Sequence, residues 1–213
     1  MLRQSLKDVY FWANQWMVLP NTLLGKIRNG GKNGLYLHLG CGDDYREGMI
    51  NVDGNIARKK DMWLDLRNRL PFSDKSAKLI YCCHTLEHLF PEDAIKVLKE
   101  LYRVVADDGV VRLAVPSFER CLEIAAGRDE SHWPRDFENS MSQAINYLYC
   151  DGQHKYAYCF DNMRVFAEQA GFGDVYNYSG EHGVAPRDYD HVTLGDEPPG
   201  SLIVELRRNR TES

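Results

Sequence analysis

Between Leu35 and Pro116 one pattern repeats five times: a short apolar run that stops at a glycine, a proline or a polar residue. Leu35-Tyr36-Leu37-His38-Leu39 stops at Gly40-Cys41-Gly42, and Met49-Ile50-Asn51-Val52 stops at Asp53-Gly54-Asn55. Met62-Trp63-Leu64 ends at Asp65, Ala77 to Cys83 ends at His84, and Val110 to Val115 is closed by Pro116. Near-continuous apolar runs of this length suit strands buried on both faces, as in parallel sheets. A helix is expected from Pro91, which fits a first helical turn, with Glu92 and Asp93 at its positive end. Ile95, Leu98, Leu101 or Tyr102, and Val105 would share one face, and Asp107-Asp108-Gly109 would stop it. Strands alternating with crossovers predict an α/β, doubly wound, mostly parallel sheet whose ligand lies at the carboxyl ends of the strands.

The rest of the chain bounds that reading. Its 213 residues suffice for one domain with an appendage, and 44% hydrophobic with 27% charged residues excludes a disordered chain. A net charge of −5 gives no support for a nucleic-acid partner. The six cysteines include no CxxC pair and read as reduced thiols of a cytoplasmic protein. Cys150, His154 and Cys159 lie close in sequence but lack a fourth ligand and a recognised zinc spacing, so no metal is expected there. Arg3, Lys7 and Asp8 interrupt the start, so no signal peptide is expected.

Residues 1–34 read as an amphipathic helix carrying Tyr10, Phe11, Trp12 and Trp16, followed by a glycine-rich joint. Its poverty in Lys and Arg argues against membrane contact and for packing on its own domain or on a second subunit, as in a homodimer. Residues 35–213 would form the main domain.

The strand ends carry the chemistry. Gly40 and Gly42 let the backbone turn and approach a ligand closely. Asp53 can accept two hydrogen bonds from a ribose diol, and Asp65 lies within reach of an adenine amino group. Cys83 and His84 end the strand beside the glycine turn. A dinucleotide fits poorly: Tyr45 stands where the third fingerprint glycine belongs, and Asp53 follows Gly42 too soon. The crossover Asp43 to Gly48 has room for little more than one helical turn. A monoadenosyl ligand without a pyrophosphate fits better, which leaves an NAD-dependent or nucleotide-sugar enzyme as a weaker third reading.

The stretches LHLGCGDDYREGMINVDGN, DLRNRLPFSDKSAKLIYCCHTLEHL and LKELYRVVADDGVVRLAVPSFE resemble class I S-adenosylmethionine-dependent methyltransferases, specifically the small bacterial predicted methyltransferases of the type 11 group. GQHKYAYCFDNMRVFAEQAGF adds a second match. The resemblance implies a seven-stranded Rossmann-like sheet with an antiparallel last strand and S-adenosyl-L-methionine as cofactor. By resemblance, Gly40, Cys41 and Gly42 face the methionine part, Asp53 with Gly54 the ribose, and Asp65 with Leu66 the adenine. Cys83 and His84 would form the floor near the methionine end. The first crossover is shorter than in the broader superfamily, and Asp107-Asp108-Gly109 replaces a Pro-Gly-Gly turn. Asp161 would cap a helix that stops at Gly171. Asp174 to Ser179 and Ser201 to Arg207 would be the last two strands, joined by a polar loop.

Methyl transfer needs in-line positioning and, for a hydroxyl acceptor, removal of a proton. His84, His88 one helical turn past it, Asp151, His154 and His182 are candidate bases, with His154 preferred because its segment follows an insertion, residues 118–160, that would overhang the strand ends. Glu87 reads as helix-start chemistry or support for a neighbour. Thirteen of the 24 aromatic residues lie from Phe118 to Tyr189, so the insertion would cover a small-molecule or glycan acceptor. The alternation of Tyr147/Tyr149 and Tyr156/Tyr158 serves a core equally well. The expected activity is O-methylation; the alternative is a catalytically silent cofactor-binding or interaction protein of the same fold.

Overall fold

The computed structural model describes residues 20, 23–25, 29, 31–55, 58–128, 138–179, 187–190 and 192–209. The aromatic N-terminal helix, Trp133, Phe137, His182 and His191 lie outside the described residues, as does the side chain of Asp151. Among the described residues, no helix is long and apolar enough to cross a membrane.

The strands are β1 (Leu35–Leu39), β2 (Ile50–Asp53), β3 (Met62–Trp63) and β4 (Ala77–Cys83). Helix α1 (Pro91–Val104) leads into β5 (Val105–Pro116). Helices α2 (Phe118–Ala125), α3 (Ser140–Tyr149) and α4 (Phe160–Ala170) follow, then β6 (Asp174–Asn177), the hairpin β7 (Asp188–Tyr189) and β8 (Val192–Thr193), and β9 (Ser201–Arg207). Seven strands make one sheet in the order β3-β2-β1-β4-β5-β9-β6. The first five pair in parallel, and β9 runs antiparallel to both β5 and β6. The class and the antiparallel last strand match the sequence reading. No helix fills the β1–β2 crossover, as its length requires.

Every residue of β1 is buried, as the unbroken apolar run demands. Alternate residues then serve two cores. Leu37, Leu39, Ile80, Val111 and Leu113 share one face with Leu98 and Leu101 of α1 and with Met163 and Ala167 of α4. Tyr36, Leu79, Tyr81 and Val110 point the other way and are covered by Val192 and Leu194. The loop from 180 to 200, read as a polar connection, thus contains a hairpin that seals a sheet face. The buried face of α1 is Ala94, Val97, Leu98, Leu101 and Val104, with Ile95 and Tyr102 packed at its margin.

Three local readings need correction. Helix α1 ends at Val104, and Val105 already pairs with Ala77, so Asp107-Asp108-Gly109 does not stop the helix. It forms a bulge before pairing resumes at Leu79–Val110, with Asp107 and Asp108 bound to Lys75 and Lys78. A Cβ on Gly109 would lie 2.6 Å from the Ala77 carbonyl oxygen, which explains the glycine. Asp161 is exposed in the first turn of α4; the cap is Cys159, whose N–H is held at 3.1 Å by the Asn162 carboxamide oxygen. His88 is not one helical turn past His84, because only a short 3-10 turn, Leu86–His88, intervenes before α1.

Candidate active site

The carboxyl ends of β1 and β2 form a glycine turn closed by one carboxylate. Gly40 and Gly42 both adopt positive φ, 68° and 51°. Their surroundings differ. A Cβ on Gly40 would collide with the Thr85 side chain, whereas a Cβ on Gly42 would meet nothing within 4 Å. Gly40 is therefore fixed by packing, and Gly42 borders open space. Asp53 Oδ2 accepts the Gly42 N–H at 2.9 Å, and Oδ1 accepts the Asn55 N–H at 2.5 Å. Each oxygen keeps a further lone pair, so the group can still receive a diol.

Gly40→Ala is expected to cost about 1–3 kcal/mol, from the left-handed backbone and the Thr85 collision. Urea unfolding checks this. Thr85→Ala in the same chain should recover part of the loss, and no recovery would show that Thr85 is not the obstacle.

Asp65 and Leu66 follow β3. The Asp65 carboxylate is paired with the Arg67 guanidinium at 2.5 Å, and Leu66 is buried. Gly54 accepts the Trp63 indole N–H through its carbonyl at 2.8 Å. Burial pushes the Cys41 and Cys83 thiols up to about 11, so both stay protonated and neither is a nucleophile at neutral pH.

His84 stands at φ 48° just beyond β4. The Ser201 hydroxyl donates to the Pro198 carbonyl at 2.6 Å, which leaves its oxygen to accept from His84 Nε2 at 2.8 Å. His84 Nδ1 faces Glu87 Oε1 at 3.3 Å. Nε2 is thus engaged by Ser201, while Nδ1 lies beside the carboxylate without a hydrogen bond to it. Glu87 is 1% exposed, is not at the start of α1, and has no hydrogen-bond partner on either carboxylate oxygen.

Within residues 118–160, helices α2 and α3 pack as a pair. Ser117, at the end of β5, caps α2 by accepting the Arg120 N–H, and Asn139 caps α3 by accepting the Ser142 N–H. Cys121 and Ile124 of α2 pack on Ala144 and Tyr147 of α3. The Tyr147 hydroxyl donates to the Gly200 carbonyl at 3.3 Å, tying the pair to the start of β9. Beyond α3 a cleft of about 460 Å³ opens, lined among others by Tyr149, His154, Tyr156 and Asn162. The tyrosine alternation divides accordingly: Tyr147 and Tyr158 are core, while Tyr149 and Tyr156 face the cleft.

His154 donates from Nδ1 to the Leu148 carbonyl at 3.0 Å, so its Nε2 carries the lone pair. Burial holds its imidazole below the ordinary value, against the opposing pull of Glu87, so the ring is neutral at pH 7. Its ring lies 5.0 Å from that of His88, edge to face. Cys150 and Cys159 are not in this group: among the described residues, the metal-competent cluster comprises Glu87, His88 and His154. Sequence reasoning missed that grouping and the Ser201 partner of His84, because both are made across long chain separations.

Residues 37–113, a little over a third of the chain, match the family model for a methyltransferase domain. No curated protein matches the chain. Among solved structures it resembles the methyltransferase of the complex with the Trm112 methyltransferase activator from Haloferax volcanii, at 13% identity, covering 97% of this chain and 99% of that one with a TM-score of 0.52. It also resembles an S-adenosylmethionine-dependent methyltransferase from Archaeoglobus fulgidus, at 17% identity, covering 93% of this chain and 100% of that one with a TM-score of 0.52. These likenesses are of fold. With the matched domain they show a Rossmann-like methyltransferase fold.

Proposed function

We propose that the protein binds S-adenosyl-L-methionine and transfers its methyl group to a hydroxyl of a small molecule or saccharide. The observation that carries this reading is the Asp53 carboxylate at the end of β2, anchored by two backbone N–H groups beside the open Gly42 turn. In this reading Asp53 holds the ribose hydroxyls, and Gly40, Cys41, Gly42 and Gly54 shape the turn. Asp65 and Leu66 flank the adenine, and Cys83 and His84 lie under the methionine end. The bound cofactor supplies an electrophilic methyl. The protein positions it and handles the acceptor proton.

His154 is the residue we assign to that proton, since it is neutral, has a free Nε2 lone pair and lines the cleft. His84, whose Nε2 is held by Ser201, positions rather than reacts. Tyr149 and Tyr156 offer the acceptor aromatic faces and hydroxyls.

The test is methyl transfer from labelled S-adenosyl-L-methionine to a panel of saccharide and small hydroxylic acceptors. Turnover supports the reading; binding of the cofactor without transfer to any acceptor would leave a silent binding protein instead. With an accepted substrate, His154→Ala should lower turnover by about a hundredfold and leave cofactor affinity unchanged.

A further inference from the structure

We infer that Glu87, His88 and His154 form a binding site for one divalent transition-metal ion of the zinc type. One ring nitrogen of each histidine and one carboxylate oxygen lie within 4.8 Å of one another. Metal bonds to these atoms are about 2.0–2.2 Å long, so modest side-chain rotation closes the set around an ion.

Three features support the inference. The first is electrostatic. The Glu87 carboxylate is almost fully buried, yet neither oxygen accepts a hydrogen bond, and its nearest charge partner is His84 Nδ1 at 3.3 Å. An under-satisfied buried carboxylate is costly unless a cation meets it.

The second feature is the state of the two imidazoles. His88 Nδ1 donates to the Gln153 carbonyl at 3.2 Å, and His154 Nδ1 donates to the Leu148 carbonyl at 3.0 Å. A backbone carbonyl accepting one ring N–H fixes the tautomer and leaves the opposite nitrogen as a donor of electrons, the arrangement that metal-binding histidines use.

The third is backbone anchoring. The Glu87 carbonyl accepts the Lys155 N–H at 2.7 Å and the Tyr156 N–H at 3.3 Å. The 3-10 turn carrying Glu87 and His88 is therefore stitched to the segment carrying His154, so the three ligands are held at the distances described rather than brought together by chance.

Two imidazoles and one carboxylate leave at least one coordination position for an exogenous oxygen. Because His154 also lines the cleft, a hydroxyl bound there would lose its proton at lower pH. His154 would then be a ligand, with the ion taking over the acidifying role. This catalytic use rests on the methyl-transfer reading; the metal site does not.

The test uses the full chain without cofactor or acceptor. Co²⁺ is titrated and followed by its visible d–d absorption, then displaced by Zn²⁺. One equivalent should bind, and His88→Ala and Glu87→Gln should each weaken binding roughly tenfold or more. His88 is exposed, so its replacement leaves the fold intact and keeps the test decisive even if Glu87→Gln is unstable. Cys150→Ser and Cys159→Ser should bind as the wild type does. Absence of saturable binding, unchanged binding in His88→Ala, or loss in the cysteine variants instead would overturn the assignment. Since no cofactor is present, failure here leaves S-adenosyl-L-methionine binding untouched.

Discussion

Replacing Arg112 by Leu is expected to destabilise the protein by about 3–5 kcal/mol, a shift of more than a hundredfold in its folding equilibrium. Arg112 is fully buried in β5, directly opposite Glu205 of β9. Its Nε donates to Glu197 at 2.5 Å, and its Nη1 donates to the Tyr189 hydroxyl at 3.2 Å and to Glu205 at 3.4 Å. Tyr189 in turn donates to Glu205. Leucine removes the cation and leaves two buried carboxylates facing each other, and that uncompensated charge dominates the cost. The hairpin β7–β8 should loosen first, because Tyr189 and Glu197 supply its polar ties to Arg112 and Glu205, alongside the packing of Val192 and Leu194. Urea unfolding of Arg112→Leu measures the effect. Exchanging Arg112, Glu197 and Glu205 together for apolar residues of similar volume should recover much of the loss. A single-variant cost under about 1 kcal/mol would show that the network is not what closes this face.

The second large effect is on binding. Asp53→Ala should weaken affinity for S-adenosyl-L-methionine by about 3 kcal/mol or more, over a hundredfold, because two hydrogen bonds to a charged acceptor disappear at once. The same change removes the acceptors of the Gly42 and Asn55 N–H groups, so part of the loss comes from a relaxed turn. Asp53→Asn separates the contributions. It keeps one oxygen to hold the turn, loses the charge, and should bind with intermediate affinity. Circular dichroism of both variants should match the wild type, since Asp53 is only half-buried at the end of β2.

Much of this was legible in the sequence because it is local. Buried parallel strands announce themselves as unbroken apolar runs, which located β1, β2 and β4 to within a residue or so. The turn Gly40-Cys41-Gly42 and the carboxylate of Asp53 are read from neighbouring residues and come together across one strand pair. The helix stop was misread because Val105 passes straight from helix to strand, so the later Asp-Asp-Gly is a bulge rather than an end. The hairpin was missed because Val192 and Leu194 are isolated apolar residues in a polar stretch and carry no period.

The ionic network did leave a trace. Arg112 interrupts Val-Val-Arg-Leu-Ala-Val and Glu205 interrupts Ile-Val-Glu-Leu, and a charge inside an apolar strand calls for a buried partner. The site was harder. Glu87 looked like helix-start chemistry, and only the three-dimensional crossing of its turn with the segment after α3 reveals it as an orphaned carboxylate beside two histidines. The aromatic excess in the insertion proved to be of two kinds, core and cleft, which alternation in sequence cannot separate.

Isothermal titration calorimetry of the full chain with S-adenosyl-L-methionine decides whether the turn at Gly42 and Asp53 is a cofactor site. One molecule should bind per chain, with binding lost or reduced over a hundredfold in Asp53→Ala. No binding to the wild type, or equal binding to wild type and Asp53→Ala, would contradict it.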